Sequence, residues 1–302
     1  MSGPTVVAIG GNALARRRGP DDIDAQRRNA AAAAASLARL DAPGGLVVTH
    51  GNGPQVGMLA LGAEATGRHT PMAVLVAQSQ GHVGHLLQAE LAVALGGRPV
   101  ATVLTHVELD PADPALAKPT KPIGPMLTEA GARAAAAEHG WRVAPDGDGW
   151  RRVVASPQPA AVVELAAIGA LGAAGHVVVC AGGGGIPVGV AGDGSRLDLE
   201  AVVDKDLTSA LLAVELDARA LVILTDVEGV HRSWPPNGRP AAAIGRMTVA
   251  ELRGLRLDAG TMGPKALAAC RFAEATGRPA HIGPLERAAE VAEGLAGTTV
   301  VP

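Results

Sequence analysis

Four short apolar runs stand out along the chain, and each ends in a group of small or polar residues. Three of them lead into glycine, with the sequences TVVAIGGN at 5–12, LVVTHGNG at 46–53 and HVVVCAGGGG at 176–185. The fourth, ALVILTDVEG at 220–229, leads into Asp226. Apolar runs of this length, bounded by turn residues, predict buried β-strands.

Helix-like segments separate these runs. They are rich in alanine or other good helix formers, and they cover residues 25–40, 72–95, 160–174, 206–216 and 265–276. Strands that alternate with helices predict an α/β fold with a mostly parallel sheet covered on both faces. Because parallel strands end at the same edge of a sheet, we expect the glycine-rich turns to line that edge, where open α/β folds bind ligands.

The segment from 110 to about 159 interrupts the alternation. It contains eight of the chain's 22 prolines and the tryptophans Trp141 and Trp150. Two interpretations remain open, a long surface insertion or a small protruding subdomain that acts as a lid over a site.

The composition narrows the class of protein. Phe occurs once and Tyr not at all, so the core must consist of Ala, Val, Leu and Ile. A formal net charge of -3 and 1% aromatic residues argue against nucleic acid or a membrane as the partner. Cys180 and Cys270 are isolated, which favours buried reduced thiols. The first residues lack a basic leader, and we expect a soluble cytoplasmic protein.

Lysine is unusually scarce. Four of the 26 basic residues are lysines, which leaves 22 arginines; the lysines are Lys118, Lys121, Lys205 and Lys265. A bias toward arginine removes lysine wherever arginine serves equally well, so the survivors mark positions that need a compact ammonium. Lys121 is held between prolines in KPTKPIGP, and Lys118 is the one of the four for which chance survival is the favoured interpretation.

Phosphate binding is the chemistry that the glycine-rich turns favour. Neither GxxxxGK[ST] nor GxGxxG with a downstream acid occurs in the sequence. Backbone amides of IGGN, HGNG and AGGGG would have to bind phosphate, with Asn12 and Asn52 as additional amide donors. One such turn is weak evidence, but three of them together with the lysines indicate a phosphoryl-transfer site.

The acids near the lysines have several possible roles. Asp204 and Asp206 flank Lys205 at the start of the helix-like segment 206–216. One of them is expected to cap the helix, and Asp204 could instead hold lysine ammonium groups. For Asp226, binding to Mg²⁺, to a ribose hydroxyl or to a backbone nest all remain open.

The histidines give no metal or nucleophile pattern. His82 and His85 are three apart on a helix-like run without an evident third ligand, and His50 either contacts ligand or makes a structural hydrogen bond. The nucleophile motif GxSxG is also absent from the sequence, so covalent catalysis has little support.

Taken in order, these motifs resemble carbamate kinase, within the amino acid kinase superfamily. The resemblance covers nearly the whole chain and is carried by IGGNAL at 9–14, THGNGPQVG at 49–57, AQSQGH at 77–82, KPTKPIGP at 118–125, GWRRVVASPQP at 149–159, AGGGGIPV at 181–188, EAVVDKDLTS at 200–209, LTDVEGV at 224–230 and GTMGPK at 260–265. Ala155 and Thr261 depart from the residues common in that family, proline and serine. Many superfamily members also have a lysine in the loop after the first strand. This chain has none there, and Lys121 in the segment 110–159 is expected to replace it.

The resemblance implies a three-layer α/β/α sandwich and reversible, Mg²⁺-dependent phosphoryl transfer between ATP and carbamate. Carbamate already carries an anionic oxygen, so neither a general base nor a covalent intermediate is needed. The implied catalytic residues are Lys121, Lys205, Asp204 and Lys265. The implied phosphoryl-binding residues are Gly10, Gly11, Asn12, Gly51, Asn52 and Gly53. The implied nucleotide-binding residues are Gly183, Gly184, Asp206, Asp226, Met262 and Gly263.

The same resemblance gives a domain organisation. We expect a single domain over 1–302, with carbamate and phosphoryl binding in 1–195, including the lid excursion, and nucleotide binding in 196–302. A homodimer and a role in arginine metabolism are also expected, with 72–95 as either an interface or a buried helix. Two alternatives are a kinase for another acid, which PTKPIGP disfavours, and an inactive nucleotide or carbamoyl phosphate sensor, which the three retained lysines disfavour.

Overall fold

The computed structural model describes residues 3–11, 22–67, 70–232, 242–258 and 260–302. These residues form an eight-stranded central sheet. Across the sheet the strands are β13 (Arg246–Thr248), β15 (Thr298–Val301), β14 (Ala280–Pro284), β12 (Ala220–Thr225), β1 (Thr5–Ile9), β2 (Leu46–His50), β9 (Val177–Cys180) and β3 (Val100–Thr102). Adjacent strands are parallel except for β14 and β15. The four predicted strands are confirmed as β1, β2, β9 and β12.

Helices cover both faces of this sheet. They are α1 (Ile23–Leu37), α3 (Met72–Ala94), α5 (Leu165–Ala173), α6 (Lys205–Glu215), α7 (Val249–Arg253), α8 (Met262–Thr276) and α9 (Ala288–Ala292), whereas α2 (Gly53–Ala65) and α4 (Glu129–His139) pack against a separate three-stranded sheet. Alternate residues of β1 enter two different cores. Val6 packs with the side of α5, α6 and α8, whereas Val7 packs with the side of α1, α3 and α9. The three-layer α/β/α arrangement is therefore confirmed.

One predicted helix began too early. Within the segment 160–174, residues Ala161–Val162 form the short strand β8, and the helix α5 starts only at Leu165. The strand β8 pairs with β4 (His106–Glu108) in a second, four-stranded sheet that also contains β10 (Ile186–Val190) and β11 (Arg196–Asp198). Pairing with β4 satisfies the backbone groups that a helix would otherwise have satisfied.

The excursion contains a compact subdomain with its own sheet. Among the described residues, β5 (Lys121–Leu127), β7 (Gly149–Val154) and β6 (Arg142–Asp146) form a three-stranded antiparallel sheet next to α4. We call residues 121–154 the small subdomain. Of the two sequence interpretations, the structure supports a subdomain, and Lys121 lies at its first strand.

The remaining composition-based expectations concern cysteine and the membrane. Cys180 on β9 and Cys270 on α8 are free and buried, as predicted, and burial raises the pKa of both thiols. Over the described ranges, every helix falls short of the length or the hydropathy that crossing a bilayer requires.

Candidate functional site

The first two glycine-rich loops touch each other at the carboxyl edge of the central sheet. The Gly10 amide donates to the carbonyl of Leu224 at 3.1 Å, and the Gly51 amide donates to the carbonyl of Ile9 at 3.0 Å. A Cβ atom placed on Gly51 would lie 2.6 Å from the nitrogen of Gly11. This close approach requires glycine at 51. Asn12, which belongs to the same predicted group, lies outside the described residues.

The third glycine-rich loop packs against the second. Asn52 is buried, and its Nδ2 donates to Ser79 Oγ at 2.6 Å. A Cβ atom on Gly183 would lie 2.1 Å from that same Nδ2, and Gly183 has a φ of +66°. Glycine is therefore needed here for both space and backbone conformation. The three loops form one cluster, as the edge position predicted.

Gly184 connects this cluster to helix α6. Its carbonyl accepts a hydrogen bond from Thr208 Oγ1 at 2.8 Å, and a Cβ atom on it would lie 2.3 Å from the carbonyl oxygen of Val203. The loop 181–185 thus holds the N-terminus of α6 beside the first two glycine-rich loops. Nucleotide binding by Gly183 and Gly184 stays a prediction.

His50, the last residue of β2, is a buried neutral group next to these loops. Its Nδ1 lies 3.1 Å from the carbonyl oxygen of Gly51, and the side chain is buried. Burial lowers the pKa of His50 to about 4, so the imidazole carries no charge near pH 7. Of the two roles that the sequence left open for it, the structural hydrogen bond is present.

Asp204 combines the two roles that the sequence offered as alternatives. It is the N-cap residue of α6, where its Oδ1 accepts from the amides of Asp206, at 2.9 Å, and Leu207. Its Oδ2 accepts a hydrogen bond from Lys121 Nζ of the small subdomain. One carboxylate therefore caps a helix and orients a lysine 83 positions away in the sequence.

Asp206 bridges the other two candidate lysines. Its Oδ1 accepts from Lys205 Nζ at 2.5 Å, and its Oδ2 accepts from Lys265 Nζ at 2.9 Å. Burial alone would raise the pKa of Asp206, but Lys205 and Lys265 outweigh it and hold the pKa below its ordinary range. An ionised carboxylate between two ammonium groups fixes their positions and leaves further N–H donors for an anionic ligand.

The pKa values of Lys205 and Lys265 are shifted in opposite directions. Burial lowers the pKa of Lys205 below its ordinary value, against the attraction of Asp206. For Lys265 burial acts in the same direction, but Asp206 outweighs it and the pKa is raised. Lys265 therefore keeps its charge firmly, whereas Lys205 is the more desolvated ammonium. A desolvated charge interacts strongly with any anion brought next to it.

Three further residues assigned to nucleotide binding, Asp226, Met262 and Gly263, lie near Lys265 at the end of β12 and the start of α8. Asp226 follows β12 and accepts from Thr225 Oγ1 at 3.2 Å. Helix α8 starts at Met262, where the Gly263 amide donates to the carbonyl of Asp258 at 2.7 Å. This start places Lys265 in the first turn of α8, facing α6. Contacts of these residues with nucleotide stay predictions, and the three roles of Asp226 remain open.

Metal ligands do not cluster in the described part of the chain. There, no three His, Cys, Asp or Glu side chains lie close enough together to hold a metal ion. His82 Nε2 is hydrogen-bonded to Gln26 Oε1 at 3.0 Å. Both oxygens of Asp206 and both of Asp204 are bound to protein donors, so this site offers no protein-built cage.

The glycine loops give a paired prediction. No heavy atom of the surrounding described structure lies within 4 Å of a Cβ placed on Gly53, whereas a Cβ on Gly51 clashes with Gly11. We expect Gly53→Val to abolish ATP formation while its Tm stays near that of the wild type, because the side chain blocks approach of a phosphate to the start of α2. Gly51→Val should lower Tm strongly. Thermal unfolding and activity assays check both, and an active Gly53→Val variant would remove the phosphate role of this loop.

Sequence reasoning missed several residues that build this site. Ser79, which holds Asn52, was marked only by the motif AQSQGH. Asp206 was assigned to nucleotide, and its bridge between Lys205 and Lys265 was not anticipated. Helix α2 was not predicted, although it begins in the phosphoryl loop and contacts the small subdomain. Of the α2 residues that contact the small subdomain, Gly57 lies within the motif THGNGPQVG, whereas Glu64 gave no signal in the sequence.

Comparison with known proteins agrees with this geometry. Residues 3–284 match the model of the amino acid kinase family. The carbamate kinase of Escherichia coli strain K12 is 45% identical over 298 residues, which cover 98% of each chain. The solved structure of Giardia lamblia carbamate kinase bound to citric acid superposes with a TM-score of 0.90 at 34% identity, over 99% of this chain and 98% of that one. The AMP-PNP-bound form of the same enzyme gives a TM-score of 0.84 at 34% identity, with the same coverage.

Proposed function

The chain belongs to the amino acid kinase family, and we infer that it is a carbamate kinase, which transfers a phosphoryl group reversibly between ATP and carbamate. Transfer from ATP to carbamate gives ADP and carbamoyl phosphate. The observation that carries the inference for this chain is the placement of Lys121, Lys205 and Lys265 around two aspartates beside three glycine-rich loops. Such a site supplies positive charge and amide donors, which phosphoryl transfer requires.

The reaction needs little from the protein beyond charge and position. A carbamate oxygen attacks the γ-phosphorus of ATP, and the bond from that phosphorus to the bridging oxygen of ADP breaks. The charge to be stabilised is spread over the three oxygens of the transferred phosphoryl group and also develops on the leaving ADP oxygen. Since carbamate is already an anion, this attack needs no general base. Transfer is therefore direct, without a phosphorylated protein side chain.

The three lysines divide this work. Lys121 and Lys205 stabilise the transferred phosphoryl oxygens, and Lys265 stabilises the β-phosphate of the nucleotide. Asp204 and Asp206 hold these ammonium groups in place and are not proton acceptors in the reaction. Because the site is largely buried, each charge acts in a medium where it is worth more than in water.

The loops and helix starts bind the two substrates. Carbamate and the phosphoryl group bind at Gly10, Gly11 and Asn12 and at Gly51, Asn52 and Gly53. The nucleotide binds at Gly183, Gly184, Asp206, Asp226, Met262 and Gly263. In support, the Giardia lamblia relative was solved with AMP-PNP bound. The carbamate part covers 1–195 and the nucleotide part covers 196–302, with Gly183 and Gly184 of the first part reaching the nucleotide.

Magnesium enters with the nucleotide. Mg²⁺ keeps several waters and binds through substrate phosphates plus one or two carboxylates, so it does not require a protein-built cage. Asp226 is the carboxylate at the sheet edge that fits this role alongside the phosphates. The ion would neutralise phosphate charge, in addition to the three lysines.

The assembly proposed is a homodimer in the cytoplasm, where ATP and ADP are available, with a role in arginine metabolism. The surface that supports a dimer lies along α3 and the edge strand β3. A groove there has a volume of about 430 Å³ and is lined by His85, Gln88, Ala92, Val100, Thr102 and Leu104. Leu104, which follows β3, is 49% exposed, and Val93 near the end of α3 is 79% exposed, so this surface presents exposed apolar side chains.

One assay tests the proposed function against its alternatives. ATP formation from ADP, Mg²⁺ and carbamoyl phosphate is measured beside the same reaction with acetyl phosphate and with acetylglutamyl phosphate. A carbamate kinase forms ATP from carbamoyl phosphate but not from acetyl phosphate or acetylglutamyl phosphate. Preference for another acyl phosphate would indicate a superfamily neighbour. Binding of ADP or carbamoyl phosphate without turnover would indicate a sensor.

A further inference from the structure

A single carboxylate on the body of the enzyme holds three parts of the small subdomain. Glu64 lies in the last turn of α2, where its Oε1 accepts from Trp141 Nε1 at 2.7 Å. Its Oε2 lies 2.8 Å from His139 Nδ1, and Arg152 Nη1 lies 3.6 Å from its Oε1. His139 is the last residue of α4, Trp141 directly precedes β6, and Arg152 lies on β7.

The partners of Glu64 also contact one another. The guanidinium carbon of Arg152 lies 4.8 Å from the centre of the Trp141 ring, and the His139 ring lies 5.0 Å from it. Burial lowers the pKa of the Arg152 guanidinium, and the carboxylates of Glu64 and Glu200 act against this. Arg152 is thus a partly desolvated charge whose counter-ion comes from the body of the enzyme. We call Glu64, His139, Trp141 and Arg152 the α2 clamp.

Closer to the start of α2, the helix meets the subdomain through a backbone contact and through apolar packing, since Val56 and Ala60 of α2 belong to one buried apolar cluster with Ile123 and Val154. A Cβ atom on Gly57 would lie 1.9 Å from the Cα of Gly124 on β5. Gly57 and Glu64 are seven residues apart, so they lie on the same face of α2, about 10 Å apart along its axis. The glycine contact sets how closely β5 approaches the helix, but apolar packing around it is non-directional. Glu64 adds directional polar contacts at the other end of α2, which fix the orientation of the subdomain.

The clamp is directly connected to Lys121 through the subdomain sheet. On β7, Arg152 is paired with Ile123 of β5, and Val154 is paired with Lys121. Arg152 is therefore two positions, or about 7 Å, from the residue opposite Lys121. Helix α2, in turn, begins at Gly53 in the phosphoryl loop. The same helix thus carries the phosphoryl loop at one end and the clamp at the other.

We propose that Glu64 is a positioning residue, which fixes the small subdomain on α2 and thereby sets the place of Lys121 relative to Asp204 and the phosphoryl loop. The proposal rests on the proposed function, because Lys121 is assigned there to the transferred phosphoryl group. Glu64 touches no substrate in this scheme. Its role is to keep the ammonium of Lys121 within reach of the reacting atoms.

The test compares Glu64→Ala and Glu64→Gln with Glu129→Ala as the matched control. Glu129 forms an exposed ion pair with Arg133 inside the subdomain, and exposed pairs contribute little. We expect Glu64→Ala to lower kcat by roughly tenfold or more, since misplacement by about 1 Å can cost as much as ~100-fold. The Kd for ADP should stay near that of the wild type, and the Tm should fall modestly, because Arg152 keeps Glu200 but loses Glu64 as a counter-ion. Glu64→Gln still accepts from Trp141 and should lose less activity, and Glu129→Ala should be unchanged.

Other outcomes would overturn the proposal. Wild-type kcat in Glu64→Ala would show that the clamp does not position Lys121, and an equal loss of kcat and ADP affinity would indicate a general structural role. If Glu64→Ala is insoluble, Glu64→Gln and Trp141→Phe decide, and full activity in both contradicts the proposal. A wild type without activity would refute the proposed function instead. Tryptophan fluorescence then tests the clamp alone, with a red shift in the Glu64 variants expected and an unchanged spectrum contradicting it.

Discussion

Replacement of Lys205 with alanine is expected to raise the barrier for phosphoryl transfer by about 3 kcal/mol or more, comparable with removing one oxyanion donor. Lys205 is buried to 9% exposure and lies 2.5 Å from Asp206. Its ammonium is desolvated and held in one position, so charge that develops on the phosphoryl group meets it without reorganisation. Few single changes outside the glycine loops should affect kcat as strongly.

The measurement is steady-state ATP formation by purified Lys205→Ala, with folding confirmed by circular dichroism and thermal unfolding. Some loss of stability is expected, because the change leaves Asp206 with Lys265 as its remaining lysine partner. Lys118→Ala is the control, since Lys118 is exposed and is assigned no role in the site. Near-wild-type turnover by a folded Lys205→Ala variant would remove this lysine from the mechanism.

The second large effect is expected for Lys121. Its ammonium reaches Asp204 from the small subdomain, so it contributes charge to a site that is otherwise built from the body of the enzyme. We expect this charge to act on the transition state more than on the bound nucleotide. Lys121→Ala should therefore lower kcat by roughly tenfold to a thousandfold, while the Kd for ADP changes by no more than about threefold, which is less than 1 kcal/mol.

Two arginine variants, one at 121 and one at 118 as a control, separate the effect of charge from the effect of side-chain shape. Lys121→Arg should restore little activity, because a planar guanidinium cannot replace a compact ammonium held by one carboxylate oxygen. Lys118→Arg should leave kcat unchanged. Steady-state kinetics and ADP titrations on these variants decide the matter. Full activity in Lys121→Arg would contradict the explanation for the presence of lysine at 121. A large loss of ADP affinity in Lys121→Ala would contradict the claim that Lys121 acts on the transition state more than on the bound nucleotide.

The central sheet could be predicted because its strands are local signals. Each of β1, β2, β9 and β12 is a run of four to six residues that is buried along its whole length and ends in glycine or a polar residue. Helix α2 could not be predicted, because GPQVGMLALGAEA contains three glycines and lacks a clear polar face. Its glycines serve tertiary contacts, as Gly57 shows, and such contacts override helix propensity.

The residues of the site also include some that the local sequence marks and some whose contacts only the fold reveals. The scarcity of lysine marked Lys121, Lys205 and Lys265, and the flanking acids marked the start of α6. That Lys121 pairs with Asp204 depends on a contact between residues 83 apart, which no local pattern reports. The α2 clamp is less visible still. Glu64 is an ordinary surface residue by sequence, and its importance arises only where the fold brings His139, Trp141 and Arg152 to it.

The central claim is that lysine charge acts on the phosphoryl group in transit, and a transition-state mimic tests it most directly. The Kd of ADP is measured with Mg²⁺, in the presence and absence of aluminium fluoride, for wild type and Lys121→Ala. In the wild type, fluoride should tighten ADP binding by roughly a hundredfold or more, because transition-state analogues gain the interactions that catalysis uses. In Lys121→Ala, binding of ADP alone should be nearly unchanged and most of this gain should disappear. An equal gain in both proteins would contradict the account.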